Sequence, residues 1–308
     1  MFDLLILGAS AAGVSAAVYG ARRKLNMKLI SVDIGGEVAT SGVVENYPGH
    51  VLINGDELAG IFRKQLEAQG AAIDEGFMVT SLTKINKGFK VIAKNLSDVE
   101  QIYESKAVII ATGVKPRKLD VPGEEEFYHR GVTYCTICDG PLYKNKDVVI
   151  LGSGNSALES ALMMVEIAKS VTVLIRGDKF KGETVLIDKV QNNARITVVF
   201  NVVSQKISGE QCVTSIEYRN KLTSEVKTLP VQGVFVNVGY IPNSDFTDAV
   251  PKNAEGQFVV DRLGYTGVPG LYAAGDVTDI PYKQISIATG MGTLSALAAI
   301  DYLNRLSV

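Results

Sequence analysis

Two cysteines separated by two residues, Cys135-Thr136-Ile137-Cys138, run straight into Asp139-Gly140-Pro141. This spacing lets both sulfurs meet across one turn. A helix dipole or a neighbouring cation can then lower one thiol below its free pKa of about 8.5 and create a reactive thiolate. Such a pair exchanges with a protein disulfide through a mixed disulfide, one cysteine attacking and the other resolving. The alternative is half of a zinc site. Zinc would need two further ligands, and Cys212, His50 and His129 are scattered without ligand spacing, so no metal is expected. Cys212 reads as a strand or hairpin residue, and His129 as a partly buried surface histidine. Asp139 can deliver the proton that a departing thiolate needs. Equally, it can be only the turn residue of Asp-Gly-Pro.

Two glycine-rich loops offer a second kind of chemistry, the cradling of phosphates. The first, Gly8-Ala9-Ser10-Ala11-Ala12-Gly13, fits G-x-G-x-x-G except that Ser10 takes the middle place, where glycine normally lets the backbone approach a pyrophosphate. Helix dipole and free N–H groups would still face the phosphates. Asp33 follows at the distance where a carboxylate can hold a ribose hydroxyl. The plainer reading is a tight turn with a surface aspartate. The second loop, Gly152-Ser153-Gly154-Asn155-Ser156-Ala157, is a complete G-x-G-x-x-A and suits a nicotinamide dinucleotide. Beyond it, Leu174-Ile175-Arg176 ends without an acid. Arg176, with Lys179 and Lys181, can pair with a 2′-phosphate, which favours NADPH, or these are solvated surface cations.

The elements that must position these residues alternate. Leu4 to Leu7 is an apolar run of the kind buried on both faces, Gly13 to Arg23 reads as a small-residue helix, and Lys28 to Val32 as the next strand, ending at Asp33. The grammar repeats with a strand at Asp147 to Leu151, a helix at Ala157 to Lys169 and a strand at Val171 to Ile175. This predicts an α/β fold with two Rossmann-like nucleotide-binding domains, the second inserted into the first. The first comprises 1–114 and 244–308, the second 115–243, with joints near Lys115-Pro116-Arg117 and Gly239-Tyr240-Ile241-Pro242-Asn243. A length of 308 residues suits two cores. A formal charge of -2 gives no cationic excess for nucleic acid or an anionic membrane. Asp3 interrupts the first apolar run where a signal peptide is uncharged, and Gln284 to Ile300 reads as too weakly apolar to span a bilayer. A cytoplasmic chain is the expectation.

These motifs together resemble the low-molecular-weight thioredoxin reductases and the similar flavoprotein core of alkyl hydroperoxide reductase. The resemblance runs through GASAAG, Gly35-Gly36-Glu37, Glu45-Asn46-Tyr47-Pro48-Gly49, Ala111-Thr112-Gly113, CTICDGPLYKNKDV, GSGNSALE, Ala273-Ala274-Gly275-Asp276 and Pro281-Tyr282-Lys283-Gln284-Ile285. It implies FAD held by the 8–13 loop, Asp33 and Glu37, with Asn46, Thr112, Gly113, Gly275, Asp276, Lys283, Gln284 and Ile285 near its ribityl chain or isoalloxazine. It also implies that Cys138 faces the flavin and Cys135 attacks a thioredoxin or glutaredoxin-like partner, in a homodimer whose inserted domain rotates. The His-Arg-Arg-x-x-x-Arg pattern of NADPH-using relatives is incomplete at Ile175-Arg176-Gly177-Asp178-Lys179-Phe180-Lys181, which leaves NADH or ferredoxin as other donors. A flavin redox sensor without turnover is the reading from another class.

Overall fold

The apolar run at the N-terminus forms β1 (Phe2–Ala9), whose Leu4, Leu5, Ile6 and Leu7 are fully buried, as a strand covered on both faces requires. The computed structural model describes residues 1–41 and 43–306, without the side chains of Val43 and Cys138. It divides into two units, Met1–Lys115 with Ile241–Val308, and Pro116–Tyr240.

Along the chain, β1 is followed by α1 (Ala11–Arg22), β2 (Met27–Ile34), the short β3 (Val43–Val44) and β4 (Ile53–Asn54), α2 (Gly55–Ala68), β5 (Ile73–Glu75), β6 (Phe77–Ile85), β7 (Gly88–Asn95), β8 (Glu100–Ile110) and β9 (Val114–Pro116). Next come β10 (Val132–Thr133), α3 (Thr136–Asp139), β11 (Asp147–Leu151), α4 (Asn155–Met164), β12 (Ser170–Leu174), α5 (Thr184–Gln191), β13 (Ile196–Val199), β14 (Val202–Gly209), β15 (Val213–Asn220), β16 (Val226–Pro230) and β17 (Gly233–Val236). After β18 (Tyr240–Pro242), β19 (Leu271–Ala273) and α6 (Ile285–Leu306) complete the first unit.

In the first unit the sheet runs β5-β2-β1-β8-β7-β6, with β19 beside β8. Strand β1 is parallel to β2 and β8, whereas β6, β7 and β8 pair antiparallel. The chain leaves β1 for β2 on one side and reaches β8 on the other, so a crevice opens beyond the carboxyl ends of β1 and β8. The second unit repeats this plan. Its sheet is parallel in the order β10-β17-β11-β12-β13, and the crevice lies between β11 and β17. An antiparallel meander, β14-β15-β16, is inserted before β17.

Small residues in α1 and α6 have a packing reason. A Cβ on Gly292 would lie 2.0 Å from the Ala12 carbonyl oxygen, and the Ser15 and Thr293 hydroxyls are 2.7 Å apart, so the two helices meet backbone to backbone. Ala288, Ala296, Ala299 and Leu303 share one core with Ala12, Ala16 and Leu4. By length and composition α6 passes as a membrane-crossing helix, which differs from the reading of Gln284 to Ile300 as too weakly apolar. Its small-residue face is nonetheless spent within the first unit.

Two of the boundaries that differ from the sequence reading have a local cause. Strand β2 continues to Ile34 because an irregularity after Leu7 pairs Ala9 with Ile34 and buries that isoleucine. Helix α4 stops at Met164 rather than Lys169. There the N–H groups of Glu166 and Ile167 bond to Met163 and Met164 carbonyls three residues back, a tightened last turn. His129 is exposed, not partly buried, and adopts a positive φ of 60°.

Candidate functional site

The first crevice is built by contact distances that only glycine permits. A Cβ on Gly8 (φ +105°) would stand 2.2 Å from the Ala111 carbonyl oxygen, and one on Gly13 would stand 1.8 Å from that of Gly8. Strand, loop and helix therefore close on one another. Ser10 is accommodated because its Oγ donates to the Gly35 carbonyl at 2.5 Å, which ties the hydroxyl down instead of capping α1. The first turn of α1, with Ala11 and Ala12, thus keeps its N–H end available to an anion. Asp33 accepts from Gly36 N–H at 2.8 Å, so its carboxylate also shapes the Gly35-Gly36 turn.

From the other side, Gly275 (φ +76°) follows β19, and its missing Cβ would lie 3.1 Å from that of Ala12. Next to it, Asp276 is half-buried, and burial raises its carboxyl above the usual carboxylate range against the opposing pull of Lys283. Burial likewise pushes Glu37 up from 4.5 to about 7, with the charges of Asp276 and then Asp33 adding to it. Burial lowers the Lys283 ammonium against the charges of Asp276 and Asp279, and its Nζ donates to the Thr278 carbonyl at 2.5 Å. Asn46 Nδ2 donates to Gln284 Oε1 at 3.1 Å, beside Ile285 at the start of α6. Thr112 is otherwise engaged. Its hydroxyl donates to the Asn243 carbonyl at 2.7 Å and Asn243 Nδ2 donates back at 2.9 Å, fastening the segment that begins with Gly113. Sequence reading placed Asn243 only in an interdomain joint and missed its pairing with Thr112, 131 residues away. Helix-end N–H groups, an acid at the end of β2 and a polar rim suit a long dinucleotide such as FAD.

In the second crevice, Gly152 (φ +146°) repeats the role of Gly8, its Cβ position lying 2.2 Å from the Asn237 carbonyl oxygen. A Cβ on Gly154 would meet nothing within 4 Å, so this glycine leaves open space over the first turn of α4, where Asn155 and Ser156 lie. Asn155 Oδ1 accepts from Glu183 N–H at 2.8 Å, its Nδ2 donates to Glu183 Oε1 at 2.8 Å, and Lys181 N–H donates to the Ser153 carbonyl at 2.7 Å. These bonds pin the loop that carries Arg176, Lys179 and Lys181 against the glycine turn. All three cations are exposed. Lys221, from the far meander, donates to the Arg176 carbonyl at 3.4 Å, a proximity that a separation of 45 positions hid from sequence reading. The Asn237 side-chain oxygen is buried with no hydrogen-bond partner. Open space at Gly154, cations at the tip of β12 and an unmatched acceptor fit an anionic dinucleotide.

The cysteine segment belongs to the same unit. Cys135 is disulfide-bonded, Cys212 is free and exposed between β14 and β15, and the side chain of Cys138 lies outside the described residues. Thr133, buried at the end of β10, was not singled out by sequence. Its Oγ1 accepts from Cys135 N–H at 3.1 Å and donates to Asp139 Oδ2 at 2.5 Å. Thr136 and Ser160 hydroxyls, 2.8 Å apart, tie α3 to α4. Asp139 is therefore a carboxylate fixed within one turn of the disulfide-bonded Cys135. Among the described residues no group of His, Cys, Asp and Glu could hold a metal.

Residues 2–292 match the pyridine nucleotide-disulphide oxidoreductase family. The chain is 38% identical to an NADH dehydrogenase of Bacillus subtilis and 37% identical to an alkyl hydroperoxide reductase protein of Staphylococcus aureus, each match covering 99% of this chain and 59% of the relative. It thus spans about three fifths of the length of these relatives. Thioredoxin reductase of Lactococcus lactis superposes with a TM-score of 0.92 at 33% identity, over 99% of this chain and 100% of that one. That of T. acidophilum superposes at 0.90 with 37% identity, over 99% of both. With two dinucleotide crevices and a disulfide-bonded cysteine on one chain matched along nearly its whole length, this protein belongs to the pyridine nucleotide-disulphide oxidoreductase family and has the fold of thioredoxin reductases.

Proposed function

We propose that the chain is a thioredoxin-disulfide reductase, passing an electron pair from a nicotinamide nucleotide through FAD and the Cys135/Cys138 pair to the disulfide of a thioredoxin-like protein. Family membership implies a flavin and a nicotinamide nucleotide, and these supply the electron pair when bound. The chain's own part is to hold them and to run the thiol chemistry. Gly8 to Gly13, Asp33, Glu37, Asn46, Asp276 and the Lys283-Gln284-Ile285 segment hold FAD, and Gly152, Gly154, Asn155, Ser156 and Arg176 hold the nicotinamide nucleotide. In the reduced pair the Cys135 thiolate attacks one sulfur of the partner disulfide, forming a mixed disulfide and releasing the other partner sulfur as thiolate. The Cys138 thiolate then attacks the Cys135 sulfur, which releases the second partner thiol and leaves the pair oxidised. Asp139 holds a proton for the departing sulfur.

The observation that carries this reading is Cys135, disulfide-bonded, with the Asp139 carboxylate fixed by Thr133 beside it. On the same reading the protein is a cytoplasmic homodimer. The test uses the purified yellow protein with thioredoxin and each reduced nucleotide. Cys138→Ser is expected to abolish turnover while retaining the flavin, and full turnover by that variant would overturn the assignment. For the donor, Arg176 with Lys221 beside it favours NADPH, whereas the relative named an NADH dehydrogenase favours NADH. Flavin bleaching under anaerobic titration decides between them. A ferredoxin donor finds no support in these similarities.

A further inference from the structure

The two units place different side chains at one equivalent position. In the first, Ala111 follows β8, its N–H donates to the Leu7 carbonyl at 2.7 Å, and its own carbonyl is the atom that excludes a Cβ from Gly8. In the second, Asn237 follows β17, its N–H donates to the Leu151 carbonyl at 2.8 Å, and its carbonyl excludes a Cβ from Gly152. Where the first unit has a methyl group, the second has an amide whose Oδ1 is buried and unpaired. Buried polar atoms almost always have a partner, so such an orphan calls for an absent donor.

Sheet order says which donor. Leu151 and Val236 are register partners in β11 and β17, so Gly152 and Asn237 emerge side by side at the point where the chain's direction of travel across the sheet reverses. A dinucleotide bound here rests its pyrophosphate on the Gly152 to Ser156 turn, and its adenosine half extends over β12, whose tip leads to Arg176. The other half must extend over β17. We propose that Asn237 is a specificity residue of this site, its Oδ1 accepting a hydrogen bond from the nicotinamide nucleoside half of the cofactor. Donors there are the carboxamide N–H and the ribose hydroxyls. The amide torsion of asparagine is broad, and the residue is only part-buried, so a turn of the amide presents Oδ1 to the crevice.

This inference rests on reading the second unit as a nicotinamide nucleotide site, and the experiment separates the two. Calorimetric titration of the flavin-loaded, oxidised protein uses tetrahydro-NADH and tetrahydro-NADPH, which do not reduce flavin, together with ADP-ribose and its 2′-phosphate, which lack the nicotinamide. Asn237→Leu is expected to weaken binding of the tetrahydro dinucleotides roughly 10-fold and to leave the ADP-riboses within about twofold, as loss of a single hydrogen bond implies. Asn237→Ala, which copies Ala111, should behave alike. Because the variants remove an unpaired atom, neither should lower the melting temperature, whereas a merely structural asparagine would. With 3-acetylpyridine adenine dinucleotide, which lacks the amide N–H, equal binding by wild type and variant assigns the bond to the carboxamide, and unequal binding to the ribose. Unchanged dinucleotide affinity in both variants, or equal losses with and without the nicotinamide, would overturn the inference. Failure of the wild type to bind any of these ligands would overturn the dinucleotide reading itself.

Discussion

The Thr133 hydroxyl lies 2.5 Å from Asp139 Oδ2 and 3.1 Å from the Cys135 amide nitrogen, so one buried side chain joins the amino end of the cysteine turn to the carboxylate at its other end. A hydrogen bond to a charged group contributes about 1.5–3 kcal/mol. Thr133→Val keeps the shape and removes the donor. It is expected to destabilise the protein by about 2 kcal/mol in urea denaturation and to shift the pH profile of thioredoxin reduction, with Thr133→Ser restoring both.

Glycines of the second loop divide by what a Cβ would meet. Gly152→Ala places a methyl 2.2 Å from the Asn237 carbonyl oxygen at φ +146°, and should cost about 3 kcal/mol or more. Gly154→Ala meets nothing within 4 Å. Its melting temperature should stay near that of the wild type while dinucleotide affinity falls roughly 10-fold, because the methyl occupies space that a phosphate needs. Calorimetry and thermal denaturation of both variants check the contrast.

Glu37 makes the first unit's stability depend on pH. Its carboxyl is pushed up from 4.5 to about 7 by burial and by Asp276 and Asp33. Between those values the folded chain keeps a proton that the unfolded chain releases, so stability is lost as pH rises through this window. Glu37→Gln should match the wild type near pH 4.5. At about pH 8 it should exceed the wild type by about 1–2 kcal/mol after screening of a partly exposed group, measured by denaturation of flavin-free protein.

Arg176 is exposed at the tip of β12, with the Lys221 ammonium 3.4 Å from its carbonyl. If a 2′-phosphate is read there, Arg176→Ala and Lys221→Ala each raise the dissociation constant of tetrahydro-NADPH roughly 5- to 10-fold and leave tetrahydro-NADH within about twofold. Equal effects on both ligands would remove the phosphate reading.

Cys212 is free and exposed, whereas Cys135 is disulfide-bonded. A thiol reagent added to the oxidised protein should therefore modify Cys212 alone, and Cys135 should become reactive only after reduction. Peptide mapping reads the outcome directly.

Features whose physics is local can be read from the chain alone. Apolar runs meeting glycine turns at Gly8 and Gly152 made two Rossmann-like halves legible, because a strand buried on both faces and a close strand-to-helix turn leave few residue types to choose from. The Cys135-Thr136-Ile137-Cys138 spacing is local in the same sense, and the redox role proposed for it was read from that spacing. Partnerships between distant residues, by contrast, come from packing. Thr133 with Asp139, Asn155 with Glu183, Thr112 with Asn243, Lys221 beside Arg176 and Asn237 beside Gly152 are set by sheet order and loop packing. No periodicity encodes which strand becomes whose neighbour, since crossovers join strands far apart in the chain. Glu37 shows the same limit electrostatically, for its raised carboxyl comes from burial and from Asp276, 239 positions away.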